Sequence, residues 1–339
     1  MAEQQYGFFS RLLHRVALDQ RWIAEASFDL ELATAKVDSS QFVDNQHVYI
    51  AGFARAGTTM LLNQIAASDQ FASLTYADMP FVLMPGIWKR IAGGSKASAL
   101  RERAHGDGVL VNEHSPEALE EVFWRIFYQQ KYLEADHLRP MDITDKAIEQ
   151  YRAYVGAILT KCERSRYLCK NNNNVLRIPV IRRAFPNARI LIPFRDPLQH
   201  AWSIYRQHQR FLKIEHEDPF VRKYMDMVGH YEFGSGHRAF RFEDKPNNTF
   251  TPDQLDYWLE RWLEVYRHLL DLTDEQLTFV SYEWLCESTD HWLMLAEHLA
   301  CDAGHPAFEL REQPVEAPYT DSLLSQCRDL YALMSGKML

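Results

Sequence analysis

The segment Gly52-Phe53-Ala54-Arg55-Ala56-Gly57-Thr58-Thr59 holds two glycines five positions apart, one cation and two adjacent hydroxyls. These residue types suit an oxyanion. Glycine has no Cβ to hinder backbone amides that curl around the anion, and it tolerates positive φ. Hydroxyls at a helix entry add donors where the helix dipole is positive. His47–Phe53 (HVYIAGF) reads as a buried strand, and Thr58–Ala67 has helical periodicity, so strand, loop and helix follow in order. The plainer alternative is a tight turn with a threonine cap. In the ATP and GTP loop pattern a lysine follows the second glycine. Thr58 occupies that position here, and the cation stands three residues earlier, at Arg55. Such a loop suits one phosphate bearing a transferring group better than a triphosphate with its metal.

A second constellation lies in Ala188–Ser203 (ARILIPFRDPLQHAWS). The strand ends at Phe194, Arg195 emerges at its carboxyl end, and Asp196-Pro197 turns the chain into a helix. Ser203 follows Arg195 by eight residues, about two helical turns. Carboxyl ends of parallel strands are where α/β proteins bind ligands, so Arg195 and Ser203 can grip a second phosphate. The alternative pairs Arg195 with its neighbour Asp196.

Taken together, GFARAGTT and LIPFRDPLQHAWS resemble the sulfotransferases that use 3′-phosphoadenosine-5′-phosphosulfate, with order and spacing agreeing across residues 46–300. The family's 5′-phosphosulfate loop, [KR]-S-G-T-T, is matched by Arg55, Ala56, Gly57, Thr58 and Thr59, with Ala56 in place of the usual serine. Its 3′-phosphate motif is matched by Arg195-Asp196-Pro197 and Ser203. Lys170-Asn171 is similar to the K-N segment that precedes that motif, and Phe279–Trp284 (FVSYEW) resembles the late strand that brings Tyr282 toward the adenine. The resemblance implies a P-loop sulfotransferase-like α/β fold, the phosphosulfate nucleotide as co-substrate and no metal. It also implies in-line transfer to a hydroxyl, or less often an amine, of a carbohydrate or other small molecule. Arg55 would hold charge on the bridging oxygen. In similar enzymes a carboxylate some twenty-odd residues past the loop cation is the base. Asp78, 23 residues beyond Arg55, fits that spacing, while Glu113, His114 and Glu117 are rivals. His114 suits neutral pH, as in the family's cytosolic branch.

The elements around these motifs alternate. Residues 5–35 carry amphipathic helical spacing, and Phe71–Tyr76 is a short strand candidate. Met79–Gly94 reads as loop. Ser115–Gln130 reads as a helix opening on Ser-Pro and acids, and Asp145–Lys161 as another. Strands at Arg166–Lys170, Ala188–Phe194 and Gln276–Tyr282 alternate with helices at Ile178–Phe185, Pro197–Phe211, Pro252–Leu270, Thr289–Ala300 and Ser322–Met334. That alternation predicts a parallel β-sheet flanked by helices on both faces. The stretch 213–250 is polar and has little periodicity. It reads as an insertion in one domain of residues 1–339, with Tyr224, His230, Tyr231, His237 and Phe240 available to cover an acceptor.

Composition bounds the remaining choices. The chain has 339 residues, 47% of them hydrophobic, enough for a substantial core. Net charge is −9, which excludes a basic coat for nucleic acid. Yet nine of the 37 basic residues and one of the 46 acidic ones fall between Lys161 and Arg195, around the proposed 3′-phosphate motif. Five cysteines without C-x-x-C spacing read as free thiols. No apolar run reaches the length of a membrane span, and no secretory pattern opens the chain, so a cytoplasmic protein is expected. The 14 histidines form no metal-type pair on a helix. Two other readings remain open: a P-loop kinase or NTPase, and a non-catalytic nucleotide-binding protein.

Overall fold

A computed structural model describes residues 12–93, 101–102, 110–243, 249–272, 275–306 and 308–339. Its central sheet has five strands: β1 (Val48–Ile50), β2 (Phe71–Ala72), β3 (Arg166–Lys170), β4 (Arg189–Phe194) and β5 (Leu277–Ser281). They lie in the order β2-β3-β1-β4-β5, all parallel, with Ile50 beside Lys170 on one side and Leu191 on the other. Side chains alternate between two apolar cores. Val48, Ile50, Leu168 and Leu191 enter one, and Tyr49, Tyr167, Cys169, Ile190 and Ile192 the other. A sheet with two apolar faces must be covered twice, and helices do so. The chain is therefore α/β, a parallel sheet flanked on both faces, as expected.

The helices are α1 (Arg21–Ala35), α2 (Thr58–Ala66), α3 (Pro85–Ala92), α4 (Glu121–Tyr132), α5 (Asp145–Cys162) and α6 (Ile178–Ala184). The second half adds α7 (Pro197–Glu217), α8 (Pro219–Val228), α9 (Leu255–Asp271), α10 (Tyr282–Glu287), α11 (Thr289–His298) and α12 (Asp321–Ser335). No helix among the described residues is long and apolar enough to cross a membrane.

Three expectations need correction. The stretch expected as loop contains α3, because its amino end is capped from far away. Buried Glu31 of α1 accepts from Gly86 N at 2.9 Å and Ile87 N at 3.0 Å. The helix expected to open at Ser115 begins six residues later, because Pro116 bridges Thr75 in antiparallel fashion and keeps that stretch extended. The stretch 213–250 is not aperiodic throughout. It completes α7, forms α8, and adds Ala239–Phe240 as a short strand parallel to His137–Leu138.

One buried polar cluster joins these layers. Arg177 and Glu121 are fully buried and paired by two hydrogen bonds, Nη1 to Oε2 at 2.8 Å and Nη2 to Oε1 at 3.1 Å. Glu121 also accepts from Asn171 Nδ2 at 2.6 Å and from Tyr132 Oη. Removing one member leaves a buried charge with no counterpart, which costs about 3–5 kcal/mol. Arg177→Leu is expected to lower the unfolding free energy by about that amount. Urea denaturation followed by circular dichroism measures it, and a loss below about 1 kcal/mol would contradict the role given to the pair.

Candidate functional site

The Gly52–Thr59 segment leaves the carboxyl end of β1 and enters α2. Two residues take left-handed backbone angles, Arg55 at φ +74° and Gly57 at φ +86°. For arginine this conformation is uncommon, and the surrounding contacts hold it. A Cβ on Gly57 would also come within 3.2 Å of the Tyr282 ring. Gly57 caps α2 without any side chain, so the first amides of the helix have no partner within it and point out of its positive end. A Cβ on Gly52 would stand 2.9 Å from the Pro193 side chain, so glycine lets the loop start flush against β4.

The loop is pinned from behind by His200 on α7. Trp262 Nε1 donates to His200 Nδ1 at 3.1 Å, which leaves Nε2 to donate to Ala54 O at 2.7 Å. The ring is therefore neutral with its proton on Nε2. Burial above all, then Arg195 and Arg55, push its pKa down to about 3. Sequence reading passed over His200, although its place between the Arg-Asp-Pro turn and Ser203 was visible.

The two motifs meet. Arg55 Nε donates to Ser203 Oγ at 3.3 Å, linking residues 148 apart in sequence. Arg195 lies over the Tyr282 ring, 4.8 Å from its centroid, and donates to the carbonyl of Arg311. Asp196 does not pair with Arg195. Its Oδ1 accepts from Gln199 N at 2.9 Å as the cap of α7, and its own amide donates to Glu283 Oε1 at 2.9 Å.

These groups line one cavity of about 1020 Å³. Arg55, Gly57, Thr58, Thr59, Arg195, Ser203 and Tyr282, all singled out in the sequence, are on its wall. Lys170 at the end of β3 is there as well, whereas Asn171 is drawn away to Glu121. Ala56 is not on the wall. Its side chain is buried and its amide donates to Phe53 O at 3.3 Å, so it offers the loop interior, not a ligand, its N–H.

The candidate bases fare differently. Asp78 is 2% exposed and does not line the cavity. It belongs to the short helical turn Tyr76–Asp78, where its Oδ2 accepts from Thr75 N at 2.9 Å and its Oδ1 pairs with Lys161. Its spacing from Arg55 matched, but its lone pairs serve a capping box and an ion pair. His114 is exposed on the turn after Asn112, and Glu113 and Glu117 likewise lie off the cavity wall. Glu117 accepts from Tyr76 Oη at 2.6 Å.

Sequence reasoning missed two contributors. Residues 308–313 form a strap over the cavity, stitched by Tyr282 Oη to Glu309 O at 2.5 Å, Arg311 N to Tyr282 Oη at 3.0 Å and Gln313 N to Gln199 Oε1 at 2.9 Å. Nothing periodic in that stretch announces it. The second is Glu232, which lines the cavity together with His230, the one residue named from the segment expected to cover an acceptor that does so. Tyr224, Tyr231, His237 and Phe240 from that segment do not line this cavity. Seven cations and three carboxylates line the wall, so its field favours an anion. Four buried polar atoms on lining residues have no hydrogen-bond partner among the described residues: Arg195 Nε, Trp202 Nε1, Asn172 Oδ1 and Glu232 Oε2. Buried groups of this kind are costly unless a ligand or water completes them.

A family model described as the sulfotransferase family matches residues 47–295. Similar solved structures include a sulfotransferase from Mycobacterium avium, 13% identical with a TM-score of 0.47, covering 98% of this chain and 79% of that one. Another is a sulfotransferase from Alicyclobacillus acidocaldarius, 14% identical with a TM-score of 0.36, covering 87% of this chain and 93% of that one. No curated protein matches the chain.

The neutral His200 has a pH consequence. Its folded pKa lies below the unfolded value of 6.5, so the unfolded chain binds the proton first. Its contribution is complete above pH 6.5 and declines by about 1.4 kcal/mol per pH unit as the pH falls toward about 3. His47, pushed down to about 4 chiefly by burial, acts in the same direction. The melting temperature is expected to drop between pH 7 and pH 5, and to drop less in His200→Gln. Equal slopes in both proteins would remove His200 from this account.

Proposed function

The chain belongs to the sulfotransferase family, and we propose that it moves a sulfuryl group from 3′-phosphoadenosine-5′-phosphosulfate to a hydroxyl, or less often an amine, of a small-molecule or carbohydrate acceptor. The observation that carries this reading is the meeting of Arg55 and Ser203 at 3.3 Å on the wall of one cavity, with Arg195 on the same wall. A loop built for the transferring group and a motif built for a second phosphate serve one bis-phosphorylated ligand when they share a cavity.

The residues present fit such a nucleotide. The amides at the start of α2 and the hydroxyls of Thr58 and Thr59 suit the non-bridging oxygens of the phosphosulfate. Arg195 and Ser203 suit the 3′-phosphate, and the unpartnered Arg195 Nε leaves a donor for it. Tyr282 offers an apolar ring beside them. The donor supplies an activated sulfuryl group, and in-line displacement leaves charge on the bridging oxygen. Arg55 holds that charge as it develops, in a site where His200 keeps the loop carbonyl fixed. No lysine follows Gly57 to reach along a triphosphate, which is the reason a kinase or NTPase fits less well.

Adenosine 3′,5′-bisphosphate is expected to raise the melting temperature, and ATP with Mg²⁺ to leave it unchanged. Stabilisation by ATP–Mg²⁺ alone would overturn the proposal. Arg195→Ala is expected to weaken bisphosphate binding roughly ten- to a hundredfold by calorimetry, the effect of removing a charge-assisted hydrogen bond of about 1.5–3 kcal/mol. Normal binding by that variant would show the 3′-phosphate assignment to be wrong. Arg55→Ala is expected to keep detectable bisphosphate binding while losing consumption of the donor.

A further inference from the structure

Sulfuryl transfer to a hydroxyl requires a group to take the hydroxyl proton, and the spacing-based candidates lie off the cavity. Three carboxylates do line it: Glu217, Glu232 and Glu309. Glu217 stands exposed at the end of α7, and Glu309 is 78% exposed beside Arg311. Glu232 differs from both. It is 8% exposed, its Oε1 accepts from Asn172 Nδ2 at 2.7 Å, and its Oε2 has no partner among the described residues.

The carboxylate is held from two directions. Asn172 follows Lys170 at the carboxyl end of β3, the strand beside β1, so it fixes Glu232 at the edge from which the anion loop springs. On its own chain, Glu232 follows the turn at Gly229, whose carbonyl accepts from Asn173 Nδ2 at 3.3 Å. Gly229 adopts φ +71°, and a Cβ there would lie 2.4 Å from Glu121 Cγ, so the turn is seated directly on the buried ion pair. One oxygen is thus oriented by Asn172, and the other is buried without a partner among the described residues, a lone pair that a donor arriving in the cavity would complete. We propose that Glu232 is the general base of the transfer, which rests on the sulfotransferase reading above.

In that step the acceptor O–H gives its proton to Glu232 Oε2 as its oxygen bonds to sulfur. The bond from sulfur to the bridging oxygen breaks, and the electron pair stays with the departing 5′-phosphate. The proton on Glu232 then passes to solvent. A competing account exists on the same residue. Glu232 also borders a pocket of about 10 Å³, the size of one water, shared with Asn173 and Arg261. A water there would satisfy Oε2 and give Glu232 a purely structural role.

Water enters the cavity whatever the acceptor is, so hydrolysis of sulfur-labelled 3′-phosphoadenosine-5′-phosphosulfate reads the base directly. Calorimetry with adenosine 3′,5′-bisphosphate reads the donor site separately. Glu232→Gln is expected to release labelled sulfate on the order of 100-fold more slowly or worse, with bisphosphate affinity within threefold of wild type. Glu232→Asp, which retains a carboxylate should the glutamine variant fail to fold, is expected to hydrolyse the donor more slowly than wild type and faster than Glu232→Gln. Hydrolysis by Glu232→Gln at the wild-type rate, or a wild type that binds the bisphosphate without hydrolysing the donor, would overturn the proposal. A wild type that does not bind the bisphosphate would overturn the parent reading instead.

Discussion

The buried contact between Glu121 and Arg177 is the constraint on which the Asn172 and Glu232 part of the cavity wall depends. Both side chains are fully buried, so each would be prohibitively expensive alone, and the pair is tolerable only because its hydrogen bonds are so nearly complete. Glu121 spends its acceptor capacity on two guanidinium N–H groups, Asn171 and Tyr132. Arg177 lies over the rings of Trp124 and Tyr132, 4.9 and 5.2 Å from their centroids. A cluster this demanding admits one arrangement, and what it touches inherits that precision. Asn171, directly after β3, is held in a fixed orientation and caps Asn173 through its own Oδ1 at 3.0 Å. Gly229 is pressed against Glu121 from the other side. Two chain segments separated by more than fifty residues thereby face each other with Asn172 and Glu232 in contact.

What could be read from the sequence was what is local in the chain. A strand, a glycine-bearing loop and a helix follow each other within twenty residues, so the geometry of residues 52–59 was implicit in their types. The Arg-Asp-Pro turn was equally local, because Asp196 caps the helix that Pro197 begins. The parallel sheet followed from alternation of apolar runs with helical periods. Spacing failed where a residue's role depends on distant partners. Asp78 stands at the expected interval from Arg55, but Thr75 and Lys161 had already claimed its oxygens. Pro116 looked like the first residue of a helix, and a bridge to Thr75 made it extended. The cap of α3 comes from Glu31, 55 residues from Gly86. Neither the strap at 308–313 nor Glu232 carries a local signature, since each acquires meaning only when the chain returns to the cavity.

The basic block between Lys161 and Arg195 is a further case of charge read in the wrong dimension. Of its nine cations only Lys170 and Arg195 line the cavity. Lys161 pairs with Asp78, Arg164 with Asp69, Arg177 with Glu121 and Arg183 with Asp145, while Arg166 donates to the carbonyls of Leu299 and Ala300. The positive wall is assembled instead from separate segments, adding Arg55, Arg206, Arg210, Lys213 and Arg311. Sequence clustering overstated one stretch, and folding gathered the field from several.

His200 shows why such a wall must be kept apart from the scaffold behind it. The loop needs a donor for the Ala54 carbonyl at a place shared with Arg55 and Arg195. A lysine or a protonated imidazole there would add a buried cation, unpaired and repelled by Arg55 and Arg195, at a cost that rises with burial. Neutral imidazole meets both conditions, since Trp262 fixes its tautomer and the remaining N–H reaches the carbonyl. The same cations that would attract the ligand help to hold this histidine neutral. Arrival of an anion between Arg55 and Arg195 would weaken that repulsion and raise the His200 pKa, so ligand binding and the histidine's titration are linked. The coupling is strongest where the loop most needs support, at acid pH, where an anionic ligand would offset the stability that protonation of His200 removes.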